Sequence, residues 1–387
     1  MALMRVSAAL GVALIASSAA PCAAQPEPVA DFYRGKTVAM LIGVGVGGEY
    51  DLQARLVAKY IGRHIPGHPN IVPQNMTGAS GLKMLNFLYN QAPRDGTAIG
   101  MIQNGFPAAQ AIGRPGIQFD SNQLRWLGTI APVVETLALW HTAGVRTIDE
   151  ARKKELVIGA TARGGITFTY PALMNELLGT KFKIVTGYTG GNEINIAMER
   201  GEVQGRNNSW SSWKVTKQPW LKEKKLFVIA QAGAKANDLD APMIEQLVRN
   251  DADRQLVDLI MSGAALGRPM TTTPGVPEAR LAALRAAFLA TMRDPDFVAE
   301  AAKLNIETDS VSGEAMQKIV ANVLTTPKAV TDRAKAAAGI KFPRLDQFQP
   351  VILRRERSEP RRMHGRVCAT SGPSPFEALA IARRRRA

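Results

Sequence analysis

Short apolar runs alternate with amphipathic stretches along most of the chain. Residues 37–42 have the length and composition of a buried strand, and Leu52, Leu56 and Tyr60 then recur at helical spacing. The alternation continues, and a second cycle of the same kind starts near residue 130. Strands separated by helices indicate an α/β fold with parallel sheets.

The pattern predicts seven strands with one further strand returning to the first sheet, and seven helices. The strands are predicted over 37–42, 70–73, 97–102, 155–159, 182–186, 203–206 and 226–230, with the returning strand at 264–268. The helices are predicted over 52–61, 82–90, 167–178, 192–200, 243–249, 253–261 and 277–292.

The first 24 residues have the layout of a cleaved export signal. Arg5 gives a positive start, residues 6–20 are almost wholly apolar or small, and Cys22-Ala23-Ala24 offers small side chains to a signal peptidase. The apolar stretch is shorter than the roughly 20 residues that a membrane span needs. We therefore expect a soluble protein exported to the periplasm, with an uncleaved membrane anchor as the alternative.

The net charge of +15 over 387 residues first suggests a nucleic-acid partner. Residues 352–387 hold ten arginines and three glutamates, so nearly half of the excess lies in this short segment. We predict that 344–387 is a disordered tail. Because the rest of the chain is only mildly basic, we expect no nucleic-acid partner, and binding of an anionic surface by the tail stays an alternative.

Residues of the usual catalytic and metal-binding kinds are scarce. The two cysteines lie near the ends of the chain, and none of the four histidines lies near a Gly-x-Ser-x-Gly turn. His64 and His68 are separated by a Pro-Gly turn, which makes a metal site there the weaker reading. We predict a protein that is not an enzyme, with no catalytic residue, metal ion or cofactor.

Glycine-rich loops precede four of the predicted helices, at 43–48, 78–81, 162–165 and 190–191. Such a turn offers free backbone N–H groups and the positive end of a helix dipole, which suit a carboxylate or a phosphate. Every charged residue between 52 and 94 is basic. The pattern favours a small anion held between two α/β lobes.

The first loop contains a Gly-x-Gly-x-x-Gly motif at Gly43, Gly45 and Gly48. This motif marks dinucleotide sites when an acidic residue follows about 20 residues later to bind a ribose hydroxyl. That partner is missing, because no acidic residue lies between Asp51 and Asp95. An oxidoreductase that binds NAD(P) at this loop stays the alternative function.

Four segments, in this order and spacing, resemble the Bug-type substrate-binding receptors of tripartite tricarboxylate transporters. They read YRGKTVAMLIGVGVGGEYDLQARLVAKYI, VPQNMTGASG, APRDGTAIGMI and GYTGGNEINIAMERGEVQG. The resemblance implies a two-lobed, flytrap-like periplasmic solute-binding fold, each lobe a mainly parallel sheet flanked by helices. One lobe would comprise 30–132 and 260–343, and the other 133–259.

The resemblance also implies an exported, monomeric receptor without catalysis. It would capture a small carboxylate or zwitterionic solute in the cleft and deliver it to integral membrane subunits of the transporter. Together with the loops above, it leads us to predict these ligand-binding residues: Gly47, Gly48, Glu49, Tyr50, Asp51, Gly78, Ala79, Gln103, Asn104, Thr161, Ala162, Gly164, Thr167, Tyr188, Gly190, Asn207 and Ser209.

The chain departs from the family pattern at the predicted site. Glu49 stands where the family has its third glycine, Tyr50 replaces a threonine, and Phe168 stands where a histidine is common. If Glu49 points into the cleft, repulsion between like charges disfavours a dianion. An amino acid, another zwitterion or a neutral ligand would then be favoured.

Overall fold

Two mixed β-sheets flanked by helices organise the protein in the computed structural model, which describes residues 27–337. The described residues all belong to one compact unit. The predicted export signal, both cysteines and the predicted arginine-rich tail lie outside them. Within the described part, no helix is long and apolar enough to cross a membrane.

The strands and helices of the described residues are as follows. The strands are β1 (Thr37–Ile42), β2 (Asn70–Asn75), β3 (Ala98–Met101), β4 (Arg125–Thr129), β5 (Val134–Trp140), β6 (Glu155–Ala160), β7 (Lys181–Thr186), β8 (Gly205–Ser209), β9 (Leu226–Gly233), β10 (Met270–Thr272) and β11 (Val311–Ser312). The helices are α1 (Val29–Tyr33), α2 (Glu49–Ile61), α3 (Leu82–Asn90), α4 (Phe106–Ala111), α5 (Ile148–Lys153), α6 (Ile166–Leu178), α7 (Gly191–Glu199), α8 (Trp210–Thr216), α9 (Gln218–Lys222), α10 (Ile244–Leu247), α11 (Asp251–Met261), α12 (Gly263–Leu266), α13 (Glu278–Arg293), α14 (Pro295–Lys303), α15 (Gly313–Leu324) and α16 (Lys328–Ala337).

The first sheet has the order β11-β4-β10-β3-β1-β2, and the second has the order β7-β6-β8-β5-β9. β1 pairs in parallel with β2 and β3, and β6 pairs in parallel with β7 and β8. β10 runs antiparallel to β3 and β4, and β5 runs antiparallel to β8 and β9. The predicted α/β class is confirmed. The sheets are mixed because β5 and β10, the first strands that the chain forms after each crossing between the sheets, run antiparallel to their neighbours.

The chain crosses between the sheets twice. It leaves the first sheet after β4, builds all of the second sheet from residues 134–233, and returns to the first sheet with β10. The two crossing segments contact each other, because the Val133 amide donates to the Ala264 carbonyl over 2.9 Å. Gly267 has a φ of +60°, and a Cβ at this position would collide with the Ala131 carbonyl. The lobe bounds given above stay a prediction.

The apolar patterns place their residues in the core as expected. Val38, Met40 and Ile42 lie on one face of β1 and are fully buried, and Leu41 on the other face is buried too, as in a strand covered on both faces. The predicted face of α13 is likewise buried, with Leu284 and Phe288 at its centre.

The predicted returning strand is misplaced. Residues Gly263–Leu266 form the short helix α12, and the strand begins only at Met270. A short apolar run does not by itself distinguish a buried helical turn from a strand.

Candidate functional site

A small cavity of about 60 Å³ lies between the two sheets. Its walls come from the segments that follow β1, β3, β6 and β7, from the segment before β10, and from β5, β8 and the helix after β8. Nine of the predicted ligand-binding residues line it: Gly48, Glu49, Tyr50, Gln103, Thr161, Thr167, Gly190, Asn207 and Ser209. Their role toward a ligand stays a prediction, but the fold brings them together.

The other eight predicted residues do not line the cavity: Gly47, Asp51, Gly78, Ala79, Asn104, Ala162, Gly164 and Tyr188. Several of them support the loops around it. The Arg114 guanidinium donates to the carbonyls of Ala79 and Gly164 over 2.7 and 3.2 Å, so it joins the loops before α3 and α6. Burial lowers the pKa of Arg114 to about 10.

Asp51 closes the loop at the start of α2. Its carboxylate accepts hydrogen bonds from the Gly47 amide over 3.0 Å, from Arg55 over 3.0 Å and from Asn75 over 2.8 Å. Burial alone would raise the pKa of Asp51, but these donors together lower it. The Gly47 N–H group therefore bonds to the Asp51 carboxylate of the protein itself, whereas the sequence predicts that it faces a ligand.

Glu49 reaches the cavity, and its charge is compensated. Its buried carboxylate forms an ion pair with Arg268, and the side chains are 1% and 4% exposed. Ser209, at the end of β8, donates to Glu49 over 2.9 Å and accepts from Arg268 over 2.5 Å. Burial alone would lower the pKa of Arg268, but the negative charge of Glu49 raises it. The pair thus offsets the repulsion that we expected from Glu49.

The cavity also exposes two charged residues that we did not predict, Arg206 and Glu135. Arg206 lies on β8 and is 4% exposed. It donates to the carbonyls of Gly191 and Asn207 over 2.6 and 3.0 Å, and to the side-chain oxygens of Asn195 and Asn208 over 2.9 Å each. Burial lowers the pKa of Arg206 to about 9, which leaves it charged at neutral pH.

Glu135 lies on β5, beside the end of β8, and is 3% exposed. Its carboxylate accepts from the amides of Asn207 over 3.0 Å and Asn104 over 3.4 Å. Asn104 also donates its backbone N–H to the Tyr50 hydroxyl over 3.1 Å, so it fixes two cavity residues without lining the cavity. Neither Glu135 nor Arg206 forms an ion pair with any residue in the described range 27–337.

Three buried polar atoms of cavity residues have no hydrogen-bond partner among the described residues. They are the Oδ1 atom of Asn207, the Nδ2 atom of Asn208 and the Nε atom of Arg268. Most buried polar groups in proteins are hydrogen-bonded, so each such atom calls for a partner. All three atoms are buried and belong to residues that line the cavity, so a polar ligand is the kind of partner that the cavity would supply.

A contact between the two halves of the protein explains Gly45 of the first loop. The Gly45 amide donates to the Thr189 carbonyl over 3.3 Å, and a Cβ on Gly45 would lie 2.9 Å from the Thr189 hydroxyl oxygen. A Cβ on Gly190 would lie 3.2 Å from the Gly45 nitrogen. Glycine is needed here because the two loops approach each other closely. This contact explains the glycine without a bound pyrophosphate.

No basic residue between residues 52 and 94 lines the cavity. Arg55 pairs with Asp51, Lys59 with Glu300, and Arg63 with Asp294 and Asp296. The acidic partners of these basic residues lie on α2 itself and in the segment around α14. The sequence pattern does not predict that this segment packs beside α2.

The missed residues carry little signal in the sequence. Arg268 stands 219 positions after Glu49, and nothing marks it among the 48 basic residues of the chain. Arg206 and Glu135 lie in the short strands β8 and β5. A charged residue inside a buried strand, with no partner visible in the sequence, was the available clue that they belong to the site. Among residues 27–337, no group of three or more His, Cys, Asp or Glu side chains could hold a metal ion.

No protein-family model matches the chain, and no curated protein matches it in sequence. Solved structures are similar to it. The periplasmic binding protein BugD has a TM-score of 0.64 at 17% identity, over 80% of this chain and 99% of its own.

Two proteins from Rhodopseudomonas palustris are similar to the same extent. MatC (Rpa3494) with bound malate has a TM-score of 0.62 at 17% identity, over 78% of this chain and 99% of its own. Rpa4515 with adipate has a TM-score of 0.61 at 19% identity, over 79% of this chain and 97% of its own. These similarities confirm the two-lobed periplasmic binding-protein fold that the resemblance implied.

Proposed function

We propose that the protein is an exported receptor of the periplasm that binds a small organic acid or a related metabolite between its two lobes. It performs no chemistry and delivers the solute, as a monomer, to the integral membrane subunits of a tripartite tricarboxylate-type transporter. The observation that carries this proposal is the cavity between the two sheets, lined by four charged residues and by residues whose buried donors and acceptors lack partners.

The fold supports this function. Of the proteins with a similar structure, one is described with malate and another with adipate, both small carboxylates. In the cavity of this chain, the Arg206 guanidinium and the unpartnered Asn208 amide are groups that bind a carboxylate. The predicted ligand-binding residues that line the cavity belong to the same proposal.

The volume of the cavity restricts the ligand. Pockets for drug-sized molecules enclose about 300–1,000 Å³, whereas this cavity encloses about 60 Å³. A solute of a few non-hydrogen atoms fits without rearrangement, and we expect the lobes to separate when a solute enters. Binding would then stabilise the closed arrangement, which the membrane partner recognises.

A thermal-shift screen of the purified protein tests the proposal. The panel contains mono- and dicarboxylates, amino acids, NAD⁺ and NADP⁺. A solute at 100 times its Kd should stabilise the folded protein by about 2.7 kcal/mol and raise its Tm. A shift with the dinucleotides alone, or with no member of the panel, would overturn the receptor function.

The variant Asn208→Ala shows whether the shift arises in this cavity. It removes the free Nδ2 donor of a cavity residue together with the Oδ1 atom that accepts from Arg206, and should reduce the shift. Asn322→Ala, an exposed residue of α15, is the matched control and should leave the shift unchanged. An equal shift in both variants would place the ligand elsewhere.

A further inference from the structure

The four ionised side chains of the cavity balance one another. Glu49 and Glu135 supply two negative charges, and Arg206 and Arg268 supply two positive charges. A ligand dianion would therefore leave about two uncompensated negative charges in a poorly solvated site. Such an excess is unfavourable where the effective dielectric constant is low.

The four charged residues differ in whether their charge is already paired within the protein or is left for a ligand. Glu49 and Arg268 bond directly to each other, and Ser209 bonds to both. Glu135 and Arg206 bond only to neutral groups of the described chain. A buried charge is stabilised most by an opposite charge with good hydrogen-bond geometry, so these two residues are the ones that a charged ligand would satisfy.

Glu135 and Arg206 approach the cavity from opposite faces of the second sheet. In the pairing of β5 with β8, Glu135 lies opposite Ser209, and Arg206 lies two residues before Asn208. Side chains alternate between the faces of a strand, so Glu135 and Asn207 share one face while Arg206 and Asn208 share the other. Both faces reach the cavity because β8 ends there.

The unpartnered atoms divide in the same way. On the side of Glu135, the free Oδ1 of Asn207 is a hydrogen-bond acceptor. On the side of Arg206, the free Nδ2 of Asn208 is a donor, because its Oδ1 already accepts from Arg206. The residues that line the cavity thus carry a negative charge and a buried free acceptor on one side, and a positive charge and a buried free donor on the other.

We propose that the solute of this receptor is a small zwitterion of the size of alanine. Its ammonium group binds Glu135 and Asn207, and its carboxylate binds Arg206 and Asn208. Glu135 is then the residue that selects against dicarboxylates, whereas Glu49 is neutralised by Arg268 and does not select. This inference rests on the proposed function, since it names the substrate class of the same cavity.

Isothermal titration calorimetry with alanine, propionate and succinate tests the inference. Alanine and propionate differ in the ammonium group, and succinate adds a second carboxylate. We expect the wild-type protein to bind alanine at least 10-fold more tightly than either acid. Equal or tighter binding of propionate or succinate, or failure of all three to bind, would overturn the zwitterion proposal.

The variant Glu135→Gln separates charge from shape. It removes the negative charge and keeps the length of the side chain, so alanine should bind at least 10-fold more weakly and propionate more tightly than in the wild type. Glu176→Gln, an exposed residue of α6, is the matched control and should keep the wild-type ranking. An unchanged ranking in Glu135→Gln would contradict the proposed role of Glu135. If this variant does not fold, the wild-type ranking still decides the matter.

The two proposals fail in different ways. A dicarboxylate that binds in the cavity and is weakened by Asn208→Ala would overturn the zwitterion proposal and leave the receptor function standing. A panel without any solute that shifts the Tm would overturn the receptor function itself.

Discussion

At the scale of single residues, the site depends on charges that the sequence does not pair. Glu49 was predicted to reach the cleft, and it does line the cavity. Its partner Arg268 was not predicted, because the two residues meet only after the chain has built the second sheet and returned. The sequence shows the negative charge of Glu49 and therefore predicts that it repels an anionic ligand. In the folded protein, the positive charge of Arg268 offsets that repulsion.

Removing one member of this pair should destabilise the protein strongly. Glu49→Gln leaves the buried Arg268 without a carboxylate, and breaking a buried ion pair in this way costs about 3–5 kcal/mol. Urea unfolding followed by circular dichroism would measure the loss. The double variant Glu49→Gln with Arg268→Met should regain most of the stability, because no unpaired buried charge remains. A loss below about 1 kcal/mol in the single variant would contradict the importance of the pair.

At the scale of elements, the strand, loop and helix order was largely predictable. The bounds of β1 were predicted to the residue, and α2 begins three residues earlier than the apolar periodicity indicated. What the glycine loop does was not predictable, because its close neighbour Thr189 belongs to a loop of the other sheet. The local sequence thus predicts that the turn exists, whereas its contact with Thr189 is seen only in the folded protein.

Close contact at this loop should matter for binding. Gly45→Ala places a methyl group 2.9 Å from the Thr189 hydroxyl oxygen, so the contact between the two loops must shift and the closed arrangement should weaken. We expect a 10-fold or greater loss of solute affinity by calorimetry. Adding Thr189→Ala removes the clashing hydroxyl and should restore most of the affinity. If Gly45→Ala binds like the wild type, the loop contact does not control closure.

The junction between α2 and α14 should weaken in acid. Asp294 accepts hydrogen bonds from the amides at the start of α14 and pairs with Arg63 and His64. Burial alone would raise its pKa, but these donors lower it to about 2. The ordinary value in an unfolded chain is about 3.9. Because the folded-state pKa is the lower one, this contribution is fully present above about pH 4 and is lost as the pH falls toward 2.

Urea midpoints between pH 7 and pH 2.5 would test this dependence. Asparagine caps a helix as well as aspartate does, so Asp294→Asn should lower stability at pH 7 only through its lost ion pairs, by about 0.2–1 kcal/mol for each pair, and should flatten the decline in acid. Asp296→Asn, whose side chain is 73% exposed, is the control and should follow the wild type. Parallel curves for wild type and Asp294→Asn would contradict the assignment.

At the scale of the whole molecule, the two-sheet architecture follows from the repeated α/β pattern and from the resemblance. The mixed strand directions were not predictable, because they depend on how the chain enters each sheet after crossing. The cavity lies between these sheets and draws residues from segments as far apart as Val44 and Arg268. Only the fold defines which of the candidate loops meet there.

The most direct measurement is a crystal structure of the protein with the solute that gives the largest thermal shift. We predict that the solute lies between the two sheets, with hydrogen bonds from Asn208 Nδ2 and to Asn207 Oδ1, and with Glu49 still paired to Arg268. A solute bound outside this cavity, or a dinucleotide held along the Gly43–Gly48 loop, would contradict the account.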